Sequence, residues 1–197
     1  MKYDAIITGG GRSGCAAAET LLERGWSVCV VAAGLRLDAD QDAPYQQLNE
    51  LARKGAVVLS GDRTSGGIWA DSADEYCRKL LAVKTLNYDD RPLEARVFIL
   101  AGGKFFSMGL RSDSERVFEP VFGSDVEFIP GRENWYSPDF FAPQPFMGFG
   151  VKTDTHGRVL FGGKPALNLY AVGSIVAANF TPADPSKIEL PDTESDA

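Results

Sequence analysis

Residues 1–31 read MKYDAIITGGGRSGCAAAETLLERGWSVCVV, and this stretch decides the fold. Residues 2–8 form a short, largely apolar segment that predicts a strand. The segment leads directly into residues 9–14, a G-x-G-x-x-G loop. Apolar residues then recur at helical spacing as far as Gly25, a residue suited to a helix C-terminus, and residues 26–31 predict a second buried strand. Strand, glycine loop, helix and strand in this order are typical of a dinucleotide-binding α/β unit.

The glycine loop has a specific physical role in such a unit. Gly9 permits the tight turn out of the strand, Gly11 lets the backbone approach a pyrophosphate, and Gly14 lets the helix pack closely on the sheet. The N–H groups and dipole at the start of the helix attract anions. Together with the neighbouring Gly10 and Ser13, these glycines therefore predict a binding site for a dinucleotide or a flavin nucleotide.

The acidic residue that usually completes such a site is missing. Sites for NAD or FAD usually carry Asp or Glu at the end of the second strand, where it holds the hydroxyl groups of the adenosine ribose. Here residues 32–34 are Ala32-Ala33-Gly34, with no carboxylate before Asp38. We expect Ala33 to border the site. Either the ribose is held differently, or the site is weakened and the scaffold binds nothing tightly.

Composition excludes several classes of protein. The chain has 197 residues, 44% of them hydrophobic, which suits one globular domain. A net charge of −7 argues against a nucleic-acid partner. The cysteines are three in number and lack C-x-x-C spacing, so we expect neither disulfides nor a metal site. The N-terminus lacks the pattern of a signal peptide and no apolar run is long enough for a membrane helix, which predicts a cytoplasmic location without a direct membrane span.

The rest of the chain predicts further strands of a central parallel sheet. Helical spacing over residues 45–55 leads into a strand at residues 56–59. Gly61-Asp62 and Gly66-Gly67 punctuate the next stretch. A β-meander over residues 68–100 then ends in a buried strand at residues 93–100. That strand runs into the turn Ala101-Gly102-Gly103. Either the backbone of this turn lies close to a ligand, or the turn simply ends the strand.

The last part of the chain is less regular. Residues 104–150 are rich in aromatic residues and proline, and we interpret them as an irregular region held to the core by large side chains, although they also suit flavin stacking or a partner surface. His156, the only histidine, is predicted at a turn and not as a general base. A last strand at residues 167–172 ends at Gly173-Ser174. We expect one domain over residues 1–180 and a mobile acidic tail over residues 181–197.

These features carry a family resemblance. The glycine loop, the strand into Ala101-Gly102 and the late strand into Gly173-Ser174 resemble the FAD-binding fold of flavoproteins with two dinucleotide-binding domains. More narrowly, the chain resembles the B subunit of anaerobic glycerol-3-phosphate dehydrogenase. The stretches that carry this resemblance are LNELARKGAVVLSGD (48–62), FILAGGKFFSMGL (98–110), EPVFGSDV (119–126), WYSPDFFAPQPF (135–146), FGVKTD (149–154) and NLYAVGS (168–174).

The resemblance implies a fold, a cofactor and partners. It implies an α/β, Rossmann-like domain with a central parallel sheet and a β-meander, whose substrate domain is largely absent. The cofactor would be FAD or FMN, with Ala101 and Gly102 at a second flavin-contacting turn and Gly173 and Ser174 near the ribityl chain. The chain would pass electrons from glycerol 3-phosphate oxidation, performed with a catalytic partner subunit, toward an iron–sulfur subunit and quinone. It would then lie peripheral to the inner membrane.

Two departures from that family keep other functions open. The chain resembles a shortened form, with only a short loop before the helix near Leu48 and an acidic tail in place of a closing helix. One alternative is a degenerate, non-catalytic Rossmann-like domain that acts as a binding or assembly module or forms a homo-oligomer. An NAD(P)-dependent reductase is less favoured, because it needs a ribose-reading residue and a proton relay that the sequence does not show. Whether the chain is itself an enzyme stays open.

Overall fold

The central strand of the protein is β1, whose alternating side chains lie in two different cores. The computed structural model describes residues 2–34, 43–70, 78–88 and 90–191. The helices and strands are β1 Lys2–Thr8, α1 Arg12–Glu23, β2 Val28–Ala32, α2 Ala43–Arg53, β3 Val57–Ser60, β4 Thr64–Trp69, β5 Leu80–Thr85, β6 Leu93–Leu100, β7 Arg111–Ser112, β8 Val117–Phe118, β9 Val126–Glu127, β10 Gly150–Val151, β11 Arg158–Phe161 and β12 Lys164–Ala171.

Eight of these strands form one sheet. Its strands lie in the order β11-β12-β6-β1-β2-β3, and β12, β6, β1, β2 and β3 are mutually parallel. β5 pairs antiparallel with the start of β6, and β4 pairs antiparallel with β5. The predicted α/β fold with a central parallel sheet and a β-meander is therefore confirmed. Because the strands are parallel, their carboxyl ends share one edge, where open α/β sheets bind ligands.

The two faces of the sheet are covered by different parts of the chain. Ile7 and Val30 face α1 and α2, in a core that also contains Leu21 and Leu48. Ile6 and Phe98 lie in the other core, together with the buried aromatic side chains Phe122, Trp135 and Phe149. Neighbouring residues of a strand point to opposite faces, so a strand between two cores must be apolar along its length. This explains the continuous apolar runs within these strands, at residues 5–7 of β1, 28–32 of β2 and 97–100 of β6.

Strand β4 differs from the sequence prediction. Gly66 and Gly67 were expected to interrupt the chain, but β4 runs through both of them. A Cβ atom on Gly67 would lie 2.6 Å from Cδ1 of Leu80 and 3.2 Å from Cδ1 of Phe122. Glycine therefore allows the strand to pack closely against its neighbours, one of the roles that glycine has in a strand interior.

The aromatic region is partly packed and partly exposed. Residues 104–150, all of which the structure describes, contain β7–β9, the first residue of β10 and two short 3₁₀ helices, Arg132–Asn134 and Pro145–Gly148. Trp135 and Phe149 are buried and make an edge-to-face contact. This agrees with the expectation that large side chains hold the region to the core. Large apolar side chains in the same region are exposed, namely Phe106, Tyr136, Phe140, Phe141 and Met147.

The described part of the predicted tail packs against α1. The guanidinium group of Arg24 donates hydrogen bonds to the carbonyl oxygens of Pro185 and Ile188, at 2.8 and 2.6 Å. The Ile188 side chain is buried in the core on the helix side of the sheet. The end of the predicted tail, residues 192–197, lies outside the described residues. Among the residues that are described, no helix has both the length and the apolar character needed to cross a bilayer.

Candidate functional site

Three turns meet at the carboxyl edge of the parallel sheet. The N–H of Gly9 donates to the carbonyl of Val31, and the N–H of Ala101 donates to that of Thr8, both at 2.8 Å. The N–H of Val172 donates to the carbonyl of Leu100 at 3.0 Å. These bonds hold the ends of β2, β1, β6 and β12 at one level. The glycine loop, the Ala101-Gly102-Gly103 turn and the Gly173-Ser174 turn therefore lie side by side.

Gly9 and Gly14 are fixed by close backbone packing. Gly9 has a φ of 114°, in the region that favours glycine, and a Cβ atom there would lie 2.3 Å from the carbonyl oxygen of Ala101. A Cβ atom on Gly14 would lie 1.9 Å from the carbonyl oxygen of Gly9. Gly10 is also constrained, because its Cβ would lie 2.5 Å from Cβ of Ala32. The loop could not keep this path with larger residues at these positions.

Gly11 is different, because no atom of the described residues explains its lack of a side chain. A Cβ atom on Gly11 would meet none of their atoms within 4 Å, and its φ of −77° is available to every residue. Gly11 is the N-cap of α1, and it lines the cavity described below. The space above it is a cradle that a Cβ would fill, as expected where a ligand approaches the backbone.

The second turn is built from tightly stacked backbone. A Cβ atom on Gly109 would lie 2.2 Å from the carbonyl oxygen of Gly103, and one on Gly103 would lie 2.1 Å from Oγ of Ser107. Between them, Met108 has a φ of 63°, the only positive φ of a non-glycine residue in the described ranges. Met108 and Ser107 both border the cavity. Residues outside the usual φ regions often mark functional sites.

The third turn packs directly on the glycine loop. Gly173 has a φ of 72°, and a Cβ atom there would lie 2.0 Å from Oγ and 2.4 Å from Cβ of Ser13. Gly173 thus allows the late turn to touch the first turn of α1, while Ser174 faces the cavity. The sequence predicted both turns, but it did not show that they contact each other.

The turns enclose a cavity of about 760 Å³. This volume is in the range of small-molecule and cofactor sites. Most of the residues that the sequence assigned to cofactor binding line it, whereas Gly14 and Gly173 lie behind the wall and shape it through packing. The assigned residues in the wall are Gly9, Gly10, Gly11, Ser13, Ala33, Ala101, Gly102 and Ser174.

The start of α1 has the electrostatic character of an anion site. Its first turn contains Arg12 and no acidic residue, and the Gly11 N-cap supplies no side-chain hydrogen bond. A cation at a helix N-terminus opposes the helix dipole, and a bound anion would offset that repulsion. A second arginine, Arg63, also borders the cavity. Backbone N–H groups and positive charge therefore meet where a diphosphate is expected.

Two buried carboxylates in the cavity wall were not identified from the sequence. Glu119 accepts hydrogen bonds from the backbone N–H groups of Val121, Phe122 and Gly123, at 2.7, 2.8 and 3.1 Å. Burial raises the pKa of the Glu119 carboxyl above its ordinary value, and these N–H donors oppose that shift. Both oxygens are engaged, so this side chain fixes the turn that follows it.

Asp62 is the other carboxylate, and it follows β3 after a single glycine. It is 2% exposed, and its Oδ1 accepts hydrogen bonds from the N–H groups of Arg63 and Asn87 at 2.7 and 3.2 Å. The signal that could have found it is its position after a predicted strand, since the carboxyl ends of parallel strands share one edge. Nothing in the linear sequence brings Glu119 to the same cavity.

Comparison with known proteins agrees with this geometry. The family described as FAD binding domain matches residues 43–187. The B subunit of anaerobic glycerol-3-phosphate dehydrogenase from Pectobacterium carotovorum subsp. carotovorum (strain PC1) is 41% identical over 143 residues, which make up 73% of this chain and 31% of that protein. The corresponding protein from Vibrio vulnificus (strain CMCP6), which has the same name, is 37% identical over 127 residues, covering 64% and 28% of the two chains.

Among solved structures, THI4 of Thermovibrio ammonificans is similar at 11% identity over 93% of this chain and 82% of its own, with a TM-score of 0.49. The matched region spans less than a third of the two dehydrogenase subunits. The resemblance to the B subunit is confirmed, and so is the prediction of a flavin nucleotide, which the family match specifies as FAD. The chain belongs to the FAD binding domain family.

Proposed function

We propose that this chain carries FAD in the cavity at the carboxyl edge of its sheet and takes part in the oxidation of glycerol 3-phosphate. The observation that carries the proposal is Gly11, whose Cβ position beside the start of α1 has no atom of residues 2–34, 43–70, 78–88 or 90–191 within 4 Å. The identity to the B subunit of anaerobic glycerol-3-phosphate dehydrogenase supports the choice of substrate. FAD, when bound, supplies the capacity to accept two electrons and release them singly or together.

The chain's own residues would bind and orient the cofactor. The N–H groups at the start of α1, with Gly11 and Ser13, would hold the diphosphate, and the guanidinium group of Arg12 would add positive charge. Ala101 and Gly102 have small or no side chains, so their backbone would lie directly against the flavin. Ser174, in the third turn, would offer a hydroxyl group. Close backbone packing makes this wall rigid, so little ordering is needed on binding.

The reaction would be shared with other subunits. We name no base for substrate oxidation, because both oxygens of Glu119 are held by backbone N–H groups and Asp62 lies at the β2–β3 end of the cavity. A catalytic partner subunit would complete the substrate site, and electrons would leave toward an iron–sulfur subunit and quinone. The location would then be cytoplasmic and peripheral to the inner membrane. A non-catalytic assembly module is not favoured, since the family match and the open glycine cradle both suit a bound FAD.

A flavin titration followed by redox steps tests the proposal. FAD is added to the purified chain, and binding is followed by the change in flavin fluorescence. The bound flavin is then reduced chemically and mixed with a soluble one-electron acceptor, which takes the place of the iron–sulfur subunit. We expect stoichiometric FAD uptake and rapid reoxidation of the bound flavin by this acceptor. Absence of FAD uptake would contradict the cofactor assignment, and bound reduced FAD that the acceptor does not oxidise would contradict the electron-transfer role.

A further inference from the structure

We propose that Asp62 supplies the ribose-binding carboxylate that is absent from the end of β2. The inference rests on the proposed function, since it assigns part of the same FAD site. Its starting point is an unpartnered atom: Oδ2 of Asp62 is buried and has no hydrogen-bond partner in the described part of the chain. An unsatisfied buried carboxylate oxygen is costly, and a ligand hydroxyl that donates to it removes that cost.

The position of Asp62 matches the place of the missing residue. The N–H of Asp62 donates to the carbonyl of Ala32 at 3.2 Å, and the N–H of Gly61 donates to that of Gly34 at 2.9 Å. These bonds tie the end of β3 to the Ala32-Ala33-Gly34 segment, where an acidic residue usually holds the adenosine ribose. The cavity is lined by both segments. The carboxylate is thus displaced by one strand, from the end of β2 to the end of β3.

The other carboxylate in the described wall does not suit this role. Glu119 uses both oxygens to accept backbone N–H groups of its own turn. Asp62 uses only Oδ1 in this way, through Arg63 and Asn87. The bonds to Oδ1 fix the side chain at the cavity wall and leave Oδ2 as an acceptor without a partner among the described residues. A fixed carboxylate oxygen is suited to the vicinal hydroxyl groups of a ribose, because both are hydrogen-bond donors.

The Asp62→Asn variant separates this role from a structural one. Asparagine keeps an Oδ1 acceptor for Arg63 and Asn87, but it places an N–H donor at the position of Oδ2. The control is Asp125→Asn, because Oδ1 and Oδ2 of Asp125 accept the backbone N–H groups of Gly162 and Gly163 away from the cavity, so this variant loses a carboxylate hydrogen bond without altering the cavity wall. Thermal unfolding of both variants checks that they fold.

The dissociation constant is measured for FAD, for FMN, which lacks the adenosine, and for an FAD analogue with 2′,3′-dideoxyadenosine. We expect Asp62→Asn to weaken FAD binding by about tenfold or more, as hydrogen bonds to charged groups typically do. Binding of FMN and of the dideoxy analogue should be the same in the variant and the wild type. Asp125→Asn should bind all three like the wild type.

Three results would overturn the inference. Unchanged FAD binding by Asp62→Asn would show that the proposed hydrogen bond to the ribose does not form. Equal losses for FAD and the dideoxy analogue would show that Asp62 only shapes the wall. If the wild-type chain took up no FAD, the proposed function would fail and this inference with it, whereas the first two results would leave FAD binding intact.

Discussion

The Cβ position of Gly14 lies 1.9 Å from the carbonyl oxygen of Gly9, whereas the Cβ position of Gly11 has no neighbour within 4 Å among the described residues. The glycines of one loop therefore differ in their surroundings. Gly14 lets α1 lie against the end of β1, a contact made by the folded chain itself. Gly11 leaves space above the helix N-terminus, where we propose that FAD binds.

The Gly14→Ala substitution is expected to lower stability. The added methyl group would collide with backbone, which cannot rotate away, so α1 must shift from the sheet. We expect a loss of about 2 kcal/mol or more in the free energy of unfolding, larger than the gain of about 1 kcal/mol that alanine brings to a helix interior. Urea denaturation measures it. A variant as stable as the wild type would show that the loop and helix pack less closely than these distances require.

The Gly11→Ala substitution is expected to spare stability and weaken FAD binding. Its backbone conformation suits alanine, so the free energy of unfolding should change by about 1 kcal/mol or less. The methyl group would fill the cradle, and FAD affinity should fall by about tenfold or more, which calorimetric titration measures. Gly66→Ala is the matched control, since its Cβ also meets nothing within 4 Å but lies outside the cavity wall. Equal FAD affinities for all three proteins would contradict this role of Gly11.

The contact between Gly173 and Ser13 predicts that a substitution at Ser13 restores stability lost by a substitution at Gly173. Gly173→Ala would place its methyl group within 2.4 Å of Ser13 Cβ and 2.0 Å of its Oγ, at a φ of 72°. We expect a loss of about 2–3 kcal/mol from the collision and the backbone strain. Adding Ser13→Gly removes both colliding atoms. The double variant should therefore recover more than half of the loss, and a double-mutant cycle by urea denaturation measures the coupling. Additive losses would show that the two turns do not touch.

Asp154 predicts a dependence of stability on pH. Partial burial acts to raise the pKa of Asp154, but the backbone N–H and guanidinium of Arg158 and the N–H of His156 outweigh it and hold the pKa below its ordinary value. A lowered acid pKa contributes stability above the unfolded-state pKa and loses it as pH falls through the folded-state value. We therefore expect stability to fall below about pH 4.

The Asp154→Asn variant isolates that contribution. Asparagine keeps an acceptor for the backbone N–H groups but removes the charge that pairs with Arg158 at 2.8 Å. Melting temperatures between neutral pH and about pH 3 should fall less steeply in the variant than in the wild type. At neutral pH the variant should be less stable by about 1 kcal/mol. Parallel pH profiles for the two proteins would count against this assignment.

Local sequence patterns predicted those parts of the fold that depend on near neighbours. The apolar runs of β1, β2 and β6 and the glycine spacing before α1 were sufficient, because strand burial and a tight turn are local properties. The contact between Ser13 and Gly173 joins residues far apart in sequence, so no local pattern contains it. The same holds for Glu119, which reaches the cavity through the packing of the aromatic region.

Two further features were missed for identifiable reasons. Gly66 and Gly67 were interpreted as interrupting the chain, but β4 runs through both of them, and Gly67 packs closely against Leu80 and Phe122. Asp62 was missed because a carboxylate at the cavity was expected only at the end of β2. Parallel strands bring their carboxyl ends together, so a residue that follows the neighbouring strand also reaches the cavity.

A crystal structure of the chain grown with FAD tests the central claim most directly. We predict diphosphate density above Gly11, against the N–H groups that begin α1, with the rest of the cofactor in the cavity between the three turns. An empty cavity at saturating FAD, or FAD bound elsewhere on the chain, would contradict the account.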